Sequence, residues 1–95
     1  MSVVRVAALQ HDIVWFDREA NYVALAPRIS AAAAGGARIV LLTETFATGF
    51  SFADPAIAER EGGPSSQFLV DQAAANDVWV GGTCAELALD APDDD

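Results

Sequence analysis

The sequence predicts an α/β fold with elements in the order β-α-β-α-β. Three apolar runs carry this reading: VVRVAAL at residues 3–9, ARIVLLT at 37–43 and VWVGGT at 78–83. Each is short, rich in β-branched or aliphatic residues and bounded by turn formers, as strands buried on both faces are. Helical spacing of apolar residues fills the two intervals between them. A strand, a helix of about 18 residues and a second strand make a βαβ unit, which implies parallel strands joined by a right-handed crossover.

The elements follow in order. After the first strand, Gln10, His11 and Asp12 form a polar strand end, and residues 13–16 an apolar connection. Asp17 suits a helix N-cap, and Glu19 in the first turn favours the positive end of the helix dipole. Tyr22, Leu25, Ile29 and Ala32 or Ala33 then recur at helical spacing. Pro27 falls inside that pattern and removes the bond to the Val23 carbonyl, so a kink is expected there. Gly35 and Gly36 end the helix. Residues 43–52 read as a loop rich in Thr, Gly and aromatics. Asp54 and Pro55 start a short helix through Arg60, which Gly62, Gly63 and Pro64 break. Pro64 fits a first helical position. Phe68, Leu69 and Ala73 give the next helix its apolar face, and Asn76 ends it. Residues 1–87 read as one domain, and 88–95 as an acidic, solvated tail holding Asp90, Asp93, Asp94 and Asp95.

Composition excludes several function classes. The chain has 95 residues, 14 acidic and 5 basic, for a net charge of -9. All five basic residues are arginine, and five scattered arginines form no nucleic-acid footprint. One cysteine rules out a disulfide framework or a Cys-rich zinc site, so no metal or cofactor is expected. No apolar run approaches the ~18 residues of a membrane span. The amino terminus lacks the pattern of a signal peptide, and the chain reads as cytoplasmic. Apolar residues are 53% of the chain, enough for a globular core, although 20 of them are alanine.

The chemistry is expected at Leu41-Leu42-Thr43-Glu44-Thr45-Phe46-Ala47-Thr48-Gly49-Phe50. Glu44 sits at the carboxyl end of a parallel strand, the edge where open α/β sheets place their ligands. Apolar flanks there are expected to desolvate the carboxyl and raise its pKa, which suits a general base. The plainer reading is a Glu that caps the next turn or pairs with an arginine. Cys84, in Val80-Gly81-Gly82-Thr83-Cys84-Ala85-Glu86, reads as a small buried thiol at a strand end. Pairing it with His11 for thiol catalysis is disfavoured, because the first and third strands need not be neighbours. Trp15, Phe16, Phe46, Phe50 and Phe52 read mostly as core or sheet-edge packing.

A strand ending in Glu with Thr-Gly-Phe four to six residues later resembles the first catalytic motif of the nitrilase (carbon–nitrogen hydrolase) superfamily. The opening VRVAALQ, the start of the first helix at Asp17 and Asn21, and the junction AAGGARIVLL at residues 33–42 resemble that family as well. So does the approach to the third strand at residues 73–82. The resemblance runs from about residue 3 to residue 86. One departure is Thr43, where the family usually has Pro before the Glu.

The resemblance implies the amino-terminal part of an α-β-β-α sandwich and a Glu-Lys-Cys triad acting on the C–N bonds of small amides or nitriles. In that triad Cys forms a thioester, Glu is the general base and Lys stabilises the oxyanion. It assigns the Glu to Glu44 and puts Phe50 at the border of the substrate pocket. No lysine is present, and Cys84 does not match the nucleophile motif, so the chain reads as roughly the first third of the family domain and inactive alone. Residues 14–17 with 44–50 look closest to the ω-amidase-like branch. The family further implies a homo-oligomer in its full-length form, with a small amide or nitrile as substrate. The competing reading is a small non-catalytic α/β binding or interaction domain. A nucleotide-binding half is disfavoured because the G-x-G-x-x-G fingerprint is missing.

Overall fold

The computed structural model describes residues 3–50 and 54–87. Strand β1 (Val6–Ala8), helix α1 (Arg18–Ala34), strand β2 (Ile39–Leu41), a 3-10 turn (Pro55–Ile57), helix α2 (Pro64–Asn76) and strand β3 (Trp79–Gly81) follow one another. The β-α-β-α-β order is the expected one. The three strands are parallel in the order β1-β2-β3, with Ala8 level with Leu41 and Leu41 level with Gly81. Strands β1 and β3 are therefore separated by β2. Their ladders are shorter than the apolar runs, with single bonds continuing from Leu9 N–H to the Leu41 carbonyl and from Leu42 N–H to the Gly81 carbonyl.

Local chemistry explains the helix ends. The Asp17 carboxylate accepts from the Ala20 amide, and Pro64 opens α2. Helix α1 continues through Pro27 to Ala34, and both Pro27 and Val23 one turn before it face solvent. Gly36 turns the chain at φ +100°, where an added Cβ would stand 3.0 Å from Arg5 Nη1. That guanidinium donates to the Gly35 carbonyl at 2.7 Å and ties the end of α1 to the start of β1. Asp77 closes α2 in the left-handed region at φ 54°.

Both helices pack on one side of the sheet. Leu25, Ile29, Ala37, Val40, Phe46 and Ala47 form the core, with Ala7, Leu9, Leu42, Phe68, Val78 and Val80 against it. The alternate strand positions are bare: Val6 is 51% exposed, Leu41 45% and Trp79 78%. This corrects the expectation of strands buried on both faces. A continuous apolar run records that both faces avoid charge, but here helices cover only one of them.

Two further expectations change. The helix expected from Asp54 through Arg60 shrinks to the 3-10 turn, because Glu59 pairs in parallel with Glu86. Its amide donates to Ala85 and its carbonyl accepts from Leu87. Of the aromatics expected in packing, Phe46 is core, whereas Trp15, Phe16 and Phe50 are about half exposed. Phe52 and the acidic tail at 88–95 lie outside the described residues. No helix among the described residues is long and apolar enough to cross a membrane.

Candidate active site

The turn that carries Glu44 begins where β2 runs out at the carboxyl edge of the sheet. Thr45 follows at φ 45°, a conformation costly for a β-branched residue. Several bonds impose it. The Thr45 amide donates to Thr83 Oγ1 at 2.9 Å, and the Thr45 hydroxyl donates to the Glu44 carbonyl at 2.8 Å. The amides of Thr48 and Gly49 both return to the Thr45 carbonyl, closing one helical turn. Phe46 anchors that turn in the core, and its ring lies so close to Gly82 that a Cβ there would stand 2.9 Å from it.

A second set of bonds holds the turn from the helix side. Asn21 is fully buried on α1. Its Nδ2 donates to the carbonyls of Ala47, Val14 and Asp17, and its Oδ1 accepts from the Val14 amide. The Phe16 amide donates to the Thr48 carbonyl at 2.9 Å. Gly49, at φ +76°, lies under the Trp15 indole, where a Cβ would stand 2.7 Å from the ring. One buried amide side chain thus joins α1, the 13–17 segment and the Glu44 turn, and it satisfies backbone groups that would otherwise be stranded.

The Glu44 side chain emerges from this scaffold into solvent. This corrects the expected apolar enclosure, since the carboxyl edge is open where only one sheet face is covered. Among the described residues its carboxylate takes no hydrogen bond and no ion pair. The turn-capping and arginine-pairing alternatives therefore do not describe it. Phe50, the other residue assigned by resemblance, follows Gly49 directly and is half exposed.

The arginine goes elsewhere. Arg18 Nε donates to Glu59 Oε2 at 2.7 Å, and its Nη2 donates to the carbonyls of Ala56 and Ile57. The Ser65 hydroxyl and amide also donate to Glu59, at 2.6 and 2.8 Å. Tyr22 Oη lies 2.9 Å from Ser65 Oγ and, because that hydroxyl gives its proton to Glu59, Tyr22 is the donor. Burial pushes the Glu59 carboxyl up, but the Ser65 hydroxyl, the Arg18 guanidinium and the Ser65 amide hold it below the usual carboxylate range. Burial raises Tyr22 above its ordinary value, against the opposing effect of its Ser65 bond. Sequence reasoning missed this cluster. Its one signal is an acid three residues before the Gly-Gly-Pro-Ser run that opens α2, whose free amides attract a carboxylate.

Cys84 and His11 do not meet as a catalytic pair. Among the described residues neither ring nitrogen of His11 has a hydrogen-bond partner, although both are buried. Burial pushes the Cys84 thiol up, as do the Glu59 and Glu86 charges, with a Ser66 hydrogen bond opposing. That is the opposite of what an activated nucleophile needs. The concavity lined by Arg38, Val70, Asp77 and Trp79 lies toward the amino ends of the strands, and no residue of the Glu44 turn borders it.

A model of the carbon–nitrogen hydrolase family matches residues 5–94. The crystal structure of XC1258 from Xanthomonas campestris, described as a CN-hydrolase superfamily protein with an arsenic adduct in the active site, superposes with a TM-score of 0.83 at 27% identity. The match covers 94% of this chain and 33% of that one, so the chain spans about a third of its neighbour's length. Among curated proteins none matches the chain.

Proposed function

The chain belongs to the carbon–nitrogen hydrolase family, and on that premise we propose that it supplies the general-base glutamate, Glu44, of an amide hydrolase. The supporting observation is the placement of Glu44. It is a carboxylate unpaired among the described residues, on a turn fixed from both sides, at the carboxyl edge of a parallel sheet. A base must present a free carboxylate at a fixed point, and pre-positioning spares the reaction the entropy of finding it.

In this reading Glu44 takes the proton of a cysteine thiol, the thiolate attacks the amide carbon, and Glu44 passes that proton to the nitrogen, which leaves as ammonia or an amine. Glu44 then activates the water that hydrolyses the thioester. The cysteine and the oxyanion-stabilising lysine are not among these residues, since Cys84 is the wrong thiol and lysine is absent. The substrate class is a small non-peptide amide of the ω-amidase type. Val14-Trp15-Phe16-Asp17 beside the Glu44 turn supports that branch, with Phe50 bordering the acyl site.

Two measurements test this. The 95-residue chain, assayed on glutaramate and succinamate, should show no turnover above a Glu44→Ala control; turnover would refute the need for further residues. A chimera should then place residues 3–87 in the matching third of XC1258. Glu44→Gln in an active chimera should lower kcat by about 10²–10⁴-fold, and an unchanged kcat would remove the base role.

A further inference from the structure

The chain leaving β3 touches the Glu44 turn at three consecutive residues. Strand β2 makes its last ladder bond from the Leu42 amide to the Gly81 carbonyl at 2.7 Å. Gly82 then lies flush on the turn, where an added Cβ would stand 2.9 Å from Phe46 Cδ1 and 3.2 Å from Leu42 Cβ. Thr83 follows, and its Oγ1 accepts the Thr45 amide at 2.9 Å. A side chain thus takes the place of a strand partner where β2 has ended. Among the described residues the Thr45 amide has no other acceptor.

The acceptor is itself anchored. The Glu59 amide donates to the Ala85 carbonyl at 2.9 Å, and the Leu87 amide donates to the Glu59 carbonyl at 2.8 Å. Arg18 and Ser65 hold the Glu59 carboxylate in turn. Thr83 is therefore strung between the β2-β3 ladder and a segment tied to a buried ion pair, so it does not simply follow the turn. Thr45 needs such a fixed partner, because it is β-branched and sits at φ 45°.

We propose that Thr83 is a positioning residue for Glu44. By accepting the Thr45 amide, its hydroxyl holds the peptide after Glu44 and fixes the point from which the carboxylate leaves the sheet. The catalytic consequence rests on the reading of Glu44 as the base, which needs a fixed point of attack. Asn21 holds the other end of the turn at Ala47, so the two ends have separate holders.

Thr83→Val keeps the shape of the side chain and removes the acceptor, whereas Thr83→Ser keeps the acceptor. In the 95-residue chain, NMR order parameters of the Glu44 and Thr45 amides should fall from about 0.85 to below about 0.6 in Thr83→Val. They should return in Thr83→Ser, and Ala47 should stay rigid throughout. In the chimera that carries residues 3–87, Thr83→Val should lower kcat about 10-fold with KM unchanged, the mark of a displaced base. On a Glu44→Gln background it should cost nothing further, because the group it positions is gone. If Glu44→Gln leaves kcat unchanged, the base role falls, and loss of order at Glu44 in Thr83→Val still supports the positioning. A Thr45 amide that exchanges freely in the parent chain, a rigid Glu44 in Thr83→Val, an equal effect in Thr83→Ser, loss of order that reaches Ala47, or an undiminished kcat loss on the Glu44→Gln background would each overturn the proposal.

Discussion

The Asn21 side-chain amide donates to the Ala47 carbonyl at 2.7 Å, across 26 residues of sequence, and so couples the first helix to the turn that presents Glu44. The same side chain makes three further backbone bonds. Replacing Asn21 with Leu keeps apolar volume but strands those partners. It should cost about 2–4 kcal/mol, read as a lower midpoint in urea. Amide exchange should accelerate at Phe16 and through Thr48 and Gly49, whose turn the Ala47 bond holds.

The Glu59 cluster predicts a pH dependence with a definite sign. Its folded pKa lies below the usual value, so its contribution is fully present above the unfolded carboxylate pKa of about 4.3. That contribution is lost as pH falls through the lower folded value. Glu59→Gln should cost about 3 kcal/mol at neutral pH, because Arg18 loses its charge partner. The variant should also show a flatter stability curve than the parent as pH falls through that window. Parallel curves for the two chains in urea titrations over the acid range would contradict the assignment.

Two glycines at similar positive φ separate strain from crowding. Gly62, at φ +72°, has nothing within 4 Å of an added Cβ, whereas Gly49 has the Trp15 ring at 2.7 Å. Gly62→Ala should cost about 1 kcal/mol from backbone strain alone. Gly49→Ala should cost about 3 kcal/mol, because the indole must also move. The Trp15 emission spectrum should change in the second variant and stay constant in the first.

Glu44→Gln should alter stability by less than about 0.5 kcal/mol, since the carboxylate is exposed and has no partner among the described residues. A large loss in thermal unfolding would mean that Glu44 holds the turn rather than being held by it.

Cys84 should alkylate slowly. Its thiol is raised by burial and by the neighbouring Glu59 and Glu86 charges, so little thiolate is present near neutral pH. Iodoacetamide labelling should run slower than with a free model thiol and accelerate at alkaline pH. Rapid labelling at pH 7 would reverse this reading.

The alternation of apolar runs and helical patterns decided the element order, because hydrophobic period is a local property. Crossover connections of helical length decided that the strands are parallel. Asp17, Pro64 and Asn76 marked helix ends for equally local reasons. The position of Glu44 beyond β2 was legible in the same way, as was the carbon–nitrogen hydrolase family. Only the tertiary structure decided the surroundings of these residues. Arg18 and Glu59 meet across 41 residues, and no local pattern encodes that contact. The strand segments 6–8, 39–41 and 79–81 carry no polar side chain on either face, so nothing in them reveals that helices cover Val40 and leave Leu41 and Trp79 bare. Glu44 is exposed for the same reason. A side chain's burial depends on which elements pack over it, and that is a property of the assembled layers rather than of the strand that carries it.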